Sequence, residues 1–411
     1  MSKFLTKIFA ATRLTQRGRL AEATDAIQQA LAAVATPAAT PAARPQTVSM
    51  TTEVPEEALV LDGLVREAPT DNVDADADTV DIADRPAASR FTESSFTAAA
   101  GTRGFKLFEP AGLDGSPRPL VVMLHGCTQD ADDFAAGTRM NALAQERGLF
   151  VLYPEQAPRS NAHKCWNWFV PNDQRRGQGE PALLAGMVRH VMATHAIDAD
   201  RVYVAGLSAG GAMAAILARE YSDLFAAAGV HSGLPPGAAH DIASAFTAMQ
   251  SGVGIAAAKW AGLTAEPTRT PLAAWPSIAP REVKPSADAA RGAPLIVFHG
   301  DADTTVNALN GEHVVEAALG TGSWQTVRSA SDATGRDARA FTRTVYRPAD
   351  GAPDAPSRVE HWVVHGASHA WSGGDKSGTY TDAAGPDASR EMLRFFAEHP
   401  HRHDEAKAFR S

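Results

Sequence analysis

The chain has 411 residues, 44% of them hydrophobic, with a formal net charge of −9 at pH 7. That length holds one large domain plus flanking segments, and the apolar content can fill a sizeable core. The acidity argues against a nucleic-acid partner. It is also local: residues 51–85 carry eleven acids and two bases, so that stretch holds the whole net charge and implies nothing about a substrate.

Residues 1–32 read as a basic amphipathic helix, with Phe4, Leu5, Ile8 and Phe9 on one face and Lys3, Lys7, Arg13, Arg17 and Arg19 unbalanced before Glu22. Such a helix suits docking on a membrane, a polymer granule or a partner. The alternative is a self-packing terminal helix. Lys7 interrupts the apolar stretch before it reaches the length of a signal peptide, and no run of about 18 apolar residues marks a transmembrane helix. This reading favours the cytoplasm. Residues 33–90 form an Ala/Pro-rich and then acidic linker, whose composition buries too little apolar surface to offset ordering entropy.

From residue 91 to 400 short apolar runs alternate with helical ones, as in βα units around a mostly parallel sheet with helices on both faces. Strands are expected at Pro119–His125, Leu149–Tyr153, Arg201–Leu207, Phe225–His231, Pro294–His299 and Arg358–His365. Helices are expected at Asp130–Arg147, Pro181–His195, Gly211–Tyr221 and Asp387–Glu398. The Pro- and Ala-rich residues 233–292 read as a helical insertion above the sheet, and 401–411 as a polar tail. Only two cysteines occur, Cys127 and Cys165, which excludes a disulfide-dense scaffold or a zinc cluster.

The chemistry concentrates at turns. Gly206-Leu207-Ser208-Ala209-Gly210 joins a strand to a helix, and a G-x-S-x-G elbow in that setting exposes a serine hydroxyl for attack. In this fold one oxyanion donor is the N–H after the nucleophile, here Ala209. The other comes from the loop after an early strand, here Cys127 in His125-Gly126-Cys127. The order serine, acid, histidine then directs attention to Asp301 and Asp303, both just past a strand end. H-G-x-x-D-x-x-V favours Asp303 as the orienting acid and leaves Asp301 to brace the turn. Of the seven later histidines, His313 lies in a helix, His361 and His365 alternate along a strand, and His399, His401 and His403 read as tail. Only His369 sits in a loop after the last strand, the station of the base. Trp166, Trp168 and Trp371 lie near these motifs and offer flat faces to an acyl chain or a phenolic ring; core packing is the competing role.

Taken together, PLVVMLHGCTQD at 119–130, LYPEQ at 152–156, KCWNWF at 164–169, RVYVAGLSAGGAMA at 201–214, HGDADTTV at 299–306 and SHAWSGG at 368–374 resemble the polyhydroxybutyrate (PHB) depolymerase family of esterases, related to feruloyl and acetylxylan esterases. The resemblance implies the α/β-hydrolase fold, the triad Ser208, Asp303 and His369, backbone donors Cys127 and Ala209, and no metal or organic cofactor. It also implies a Cys127–Cys165 disulfide, whereas in a reducing compartment the two would remain thiols. Many members are secreted, so an extracellular location is the alternative to the cytoplasm. The expected substrate is a short-chain 3-hydroxyalkanoate ester or oligomer. A feruloyl or acetyl ester, acyl transfer, and a non-catalytic granule-binding role are the alternatives.

Overall fold

The computed structural model describes residues 88–252, 292–332, 338–351 and 355–401. These all belong to the compact unit Val80–Ser411. The N-terminal helix at 1–32 and nearly all of the 33–90 linker lie outside the described residues, as does the tail from residue 402.

The described part opens with a hairpin, β1 (Arg90–Ala98) and β2 (Gly101–Glu109), followed by β3 (Arg118–Leu124). Helices α1 (Ala131–Thr138) and α2 (Met140–Arg147) lead to β4 (Phe150–Pro154), and α3 (Gly179–Thr194) to β5 (Ile197–Leu207). Then come α4 (Ala209–Glu220), β6 (Ala227–His231), α5 (Ile242–Ser251), β7 (Leu295–Gly300) and α6 (Leu309–Leu319). The last elements are β8 (Trp324–Ser331), β9 (Phe341–Pro348), β10 (Val359–Val364), the short pair β11 (Trp371–Ser372) and β12 (Thr381–Asp382), and α7 (Ala388–Glu398).

Among the described residues, ten strands form one sheet in the order β1-β2-β4-β3-β5-β6-β7-β10-β9-β8. The six central strands are parallel, and the β1-β2 and β8-β9 hairpins close the edges antiparallel. The expected mostly parallel sheet with helices on both faces is therefore present. Strand alternation explains how it is filled. Leu120, Val122 and Leu124 of β3 pack on one face with Met213, Leu217 and Val188, while Val121 and Met123 pack on the other with Phe134, Leu143 and Phe396. Each such side chain, fully buried, contributes about 1.5–3 kcal/mol.

Three local expectations are corrected. The helix expected over Asp130–Arg147 is two helices, because Arg139 adopts a left-handed φ of 54° and the Gly137 carbonyl accepts the N–H of Asp375, 2.8 Å away, instead of extending the helix. The hairpins β1-β2 and β8-β9 were not expected at all; β8 is largely exposed, so it carries little hydrophobic alternation. His399 is not a tail residue. It is buried, and its ring meets Phe395 O and Ser357 O, each at 2.6 Å, which fastens the end of α7 to the segment that leads into β10. Of the insertion at 233–292, only residues to 252 and residue 292 are described, and they include α5, capped by Asp241.

Candidate active site

The parallel strands deliver their C-terminal ends to one edge of the sheet, and the candidate residues gather there. Ser208 stands between β5 and α4 with φ 58° and ψ −119°, a conformation that costs a non-glycine residue about 1–3 kcal/mol. Close backbone approach holds it there. A Cβ at Gly210 would lie 2.0 Å from the Leu124 carbonyl oxygen, and one at Gly206 would lie 2.4 Å from the Gly210 backbone. Only glycine at both positions lets the elbow turn this tightly against the end of β3.

That approach also brings the loop after β3 beside the serine: a Cβ on Gly126 would sit 3.6 Å from the Ser208 Cβ. Ala209 is the first residue of α4, so its N–H lies ahead of the intrahelical ladder, and the helix dipole there favours negative charge. The loop is braced from several sides. Gly126 N–H donates to Gln129 Oε1 at 2.9 Å, and Thr128 N–H to His163 O at 2.7 Å. The buried His125 ring bonds Gly126 O at 2.7 Å and accepts Gln156 N–H at 3.1 Å. Burial lowers the His125 pKa to about 4, so the ring stays neutral.

A disulfide joins Cys127 to Cys165 across a sequence separation of 38. Closing a loop of this size contributes roughly 3–4 kcal/mol in the chain-entropy model. Protein unfolded without reductant should therefore show no reactive thiol, and reduction should reveal two and lower the unfolding free energy by about that amount. Two thiols before reduction would exclude the bridge.

On the acid side, Asp303 Oδ2 and His369 Nδ1 are 2.7 Å apart, and the Asp303 side chain has 0% exposure. Its Oδ1 accepts the N–H groups of Thr305 and Val306, each at 2.9 Å. Burial opposes its ionisation, but hydrogen bonds from His299, His369 and the Val306 N–H hold the carboxyl well below the usual carboxylate range. Asp301 turns elsewhere. It accepts Gly366 N–H at 2.6 Å and meets His365 Nδ1 at 2.8 Å, with 43% of its side chain exposed. The geometry thus separates a buried carboxylate on His369 from an exposed brace. Ser208 Oγ makes no hydrogen bond to His369 among the described residues; such contacts commonly tighten only when substrate is bound.

The three tryptophans depart from the expectation of a substrate surface. Trp166 and Trp371 are 0% and 1% exposed, and Trp168 is 5%. Trp166 Nε1–H donates to His125 O at 3.1 Å, and Trp371 Nε1–H to Ser389 Oγ at 3.0 Å. All three fill the core behind the loops, and for Trp166 and Trp371 the indole N–H finds a buried partner there. The neighbouring motif residues serve the same end: Asn167 N–H and side chain bond Glu180, which pairs with Arg103. Beside the loop after β3, an aromatic that does reach the surface is Tyr380, 46% exposed, with φ 51° and its hydroxyl 3.3 Å from Thr128 Oγ1. Nothing in its sequence surroundings singled it out. A cavity of about 440 Å³ lies at the other end of the strands, beside Ala226, Pro294 and Arg358, away from this chemistry.

Comparison with known proteins agrees with this architecture. A poly(3-hydroxyalkanoate) depolymerase C from Paucimonas lemoignei is 35% identical over 260 residues, covering 63% of this chain and 56% of that protein. A feruloyl esterase B from Thermothelomyces thermophilus is 36% identical over 140 residues, covering 34% of this chain and 47% of that protein. The chain thus spans about half the length of the curated relatives it matches. An acetyl xylan esterase structure from Aspergillus awamori superposes with a TM-score of 0.52 at 18% identity, covering 75% of this chain and 99% of that one, a likeness of fold alone. Residues 104–261 match the family model described as Esterase PHB depolymerase, so over that stretch the chain is similar to the PHB depolymerase family of esterases.

Proposed function

We propose that this chain is a carboxylic ester hydrolase in which Ser208 is the nucleophile, His369 the base and Asp303 the acid that orients it. The observation that carries the reading is the 2.7 Å contact between Asp303 and His369, in a chain whose earlier serine sits on a left-handed elbow. Ser208 Oγ attacks the ester carbonyl while His369 Nε2 takes its proton. Asp303 keeps the other proton on Nδ1 and stabilises the imidazolium. The N–H groups of Cys127 and Ala209 receive the oxyanion. His369 then protonates the leaving alcohol, and water repeats the sequence on the acyl-enzyme.

The substrate proposed is a short-chain 3-hydroxyalkanoate ester or oligomer, supported by the similarity to the depolymerase from Paucimonas lemoignei. A feruloyl-type ester is the second reading, supported by the 36% identity to a feruloyl esterase. A hydrolysis panel of 3-hydroxybutyrate oligomers, methyl ferulate, acetylated xylan and simple acyl esters separates them. The oligomers are expected to give the highest kcat/KM by about tenfold or more, roughly 1.4 kcal/mol of differential transition-state binding. A lead for methyl ferulate would move the assignment to the second reading. Failure to cleave any ester would overturn the hydrolase reading itself. Adding an alcohol acceptor to the same assays detects acyl transfer as a new ester product.

A further inference from the structure

His231, the last residue of β6, contacts Ser208 directly and also touches the segments that lead to Asp303 and follow His369, without belonging to the proposed triad. Its carbonyl accepts the Ser208 N–H at 2.9 Å. In the sheet it pairs with Leu207 on one side and Phe298 on the other, so it lies between the strand that ends at the serine and the strand that leads to Asp303. Its ring stacks on Phe298 at 5.8 Å and 9°, and on Trp371 at 5.1 Å and 25°. Its Nε2 accepts the N–H of Ser372 at 3.0 Å, in the segment that follows His369.

We propose that His231 is a positioning residue that sets His369 relative to Ser208, its carbonyl holding the nucleophile elbow and its imidazole holding the His369 loop. The inference rests on the hydrolase reading above. An apolar ring could fill the same space. What an apolar ring lacks is the acceptor for Ser372, a buried N–H that would otherwise go unpaired. Because Nε2 accepts, the ring proton sits on Nδ1, which faces Ser232 Oγ at 3.2 Å. The ring is 1% exposed. Burial, reinforced by the neighbouring His299 and His369 and opposed by Asp303, lowers its pKa to about 3, so it keeps one tautomer throughout the working range. A permanently neutral histidine serves as a fixed acceptor and takes no part in proton transfer.

The test compares His231→Phe with His231→Gln on a short soluble ester, each normalised to titrated active serine. Phe keeps the stack and removes the acceptor; Gln returns an acceptor oxygen near the Nε2 position. His231→Phe is expected to lower kcat on the order of 10–100-fold with KM little changed, and His231→Gln to recover most of that loss. Parental kcat in His231→Phe, or an equal loss in both variants, would overturn the proposal. Imidazole ¹⁵N spectra of the parent protein test it without any variant: an unprotonated Nε2 with no titration between about pH 5 and 8 is expected, and a proton on Nε2 would refute it. If Ser208→Ala is inactive while the His231 variants are unaffected, only the positioning role falls. If Ser208→Ala stays active, the hydrolase reading itself has failed.

Discussion

Ser208→Ala is expected to remove essentially all ester hydrolysis while leaving the protein folded. In a Ser-His-Asp hydrolase, loss of the nucleophile costs on the order of 10⁶ in kcat, equivalent to about 8 kcal/mol of transition-state stabilisation. What survives comes from the oxyanion donors and binding, which polarise a carbonyl but cannot supply the attacking oxygen. The fold should tolerate the change because alanine is nearly isosteric and Ser208 is held by its backbone: its N–H bonds His231 O at 2.9 Å, and its carbonyl accepts the N–H of Ala212 at 2.9 Å. Active-site titration with a chromogenic short-chain ester, alongside a thermal melt, checks both halves. Residual turnover above a few per cent of the parent would remove Ser208 from the proposed role.

The sequence is most legible where function and local structure impose the same residues. The elbow is such a place: a strand, two closely approached glycines and a helix must surround a serine with φ 58°, so the motif and its structural setting are read together. The parallel core is legible too, because strands buried on both faces, such as β3 and β7, are continuous apolar runs. Legibility fails where a residue's environment comes from distant chain. Whether Trp371 meets substrate or core depends on Phe134, Ser389 and His231, none of them adjacent. His231 itself ends a strand and precedes the acid, so a search for the base passes over it, and its partner Ser372 is 141 residues away. The β8-β9 hairpin fails for another reason. An edge strand exposed to solvent needs no apolar alternation, so periodicity carries no signal there.

The two aspartates of the HGDADTTV loop give the sharpest contrast, since sequence distance alone barely separates them. Asp303→Asn is expected to lower kcat by on the order of 10⁴, about 5 kcal/mol, with KM little changed. The argument follows from hydrogen-bond polarity. Asp303 Oδ1 accepts two backbone N–H groups, from Thr305 and Val306. In the asparagine variant the amide oxygen must stay on that side, which turns the NH₂ group toward His369 Nδ1. That nitrogen must then accept, its proton moves to Nε2, and the base loses the lone pair it needs for the serine. Asp301→Asn meets a different situation. Its partner His365 is 43% exposed, as is Asp301 itself, and exposed ion pairs contribute about 0–1 kcal/mol. Its oxygen can still accept Gly366 N–H, so kcat is expected within severalfold of the parent. Steady-state kinetics of the two variants, measured together with their melting temperatures, decide the assignment. A large loss in Asp301→Asn with little change in Asp303→Asn would transfer the orienting role to Asp301 and make His365, not His369, the histidine to examine.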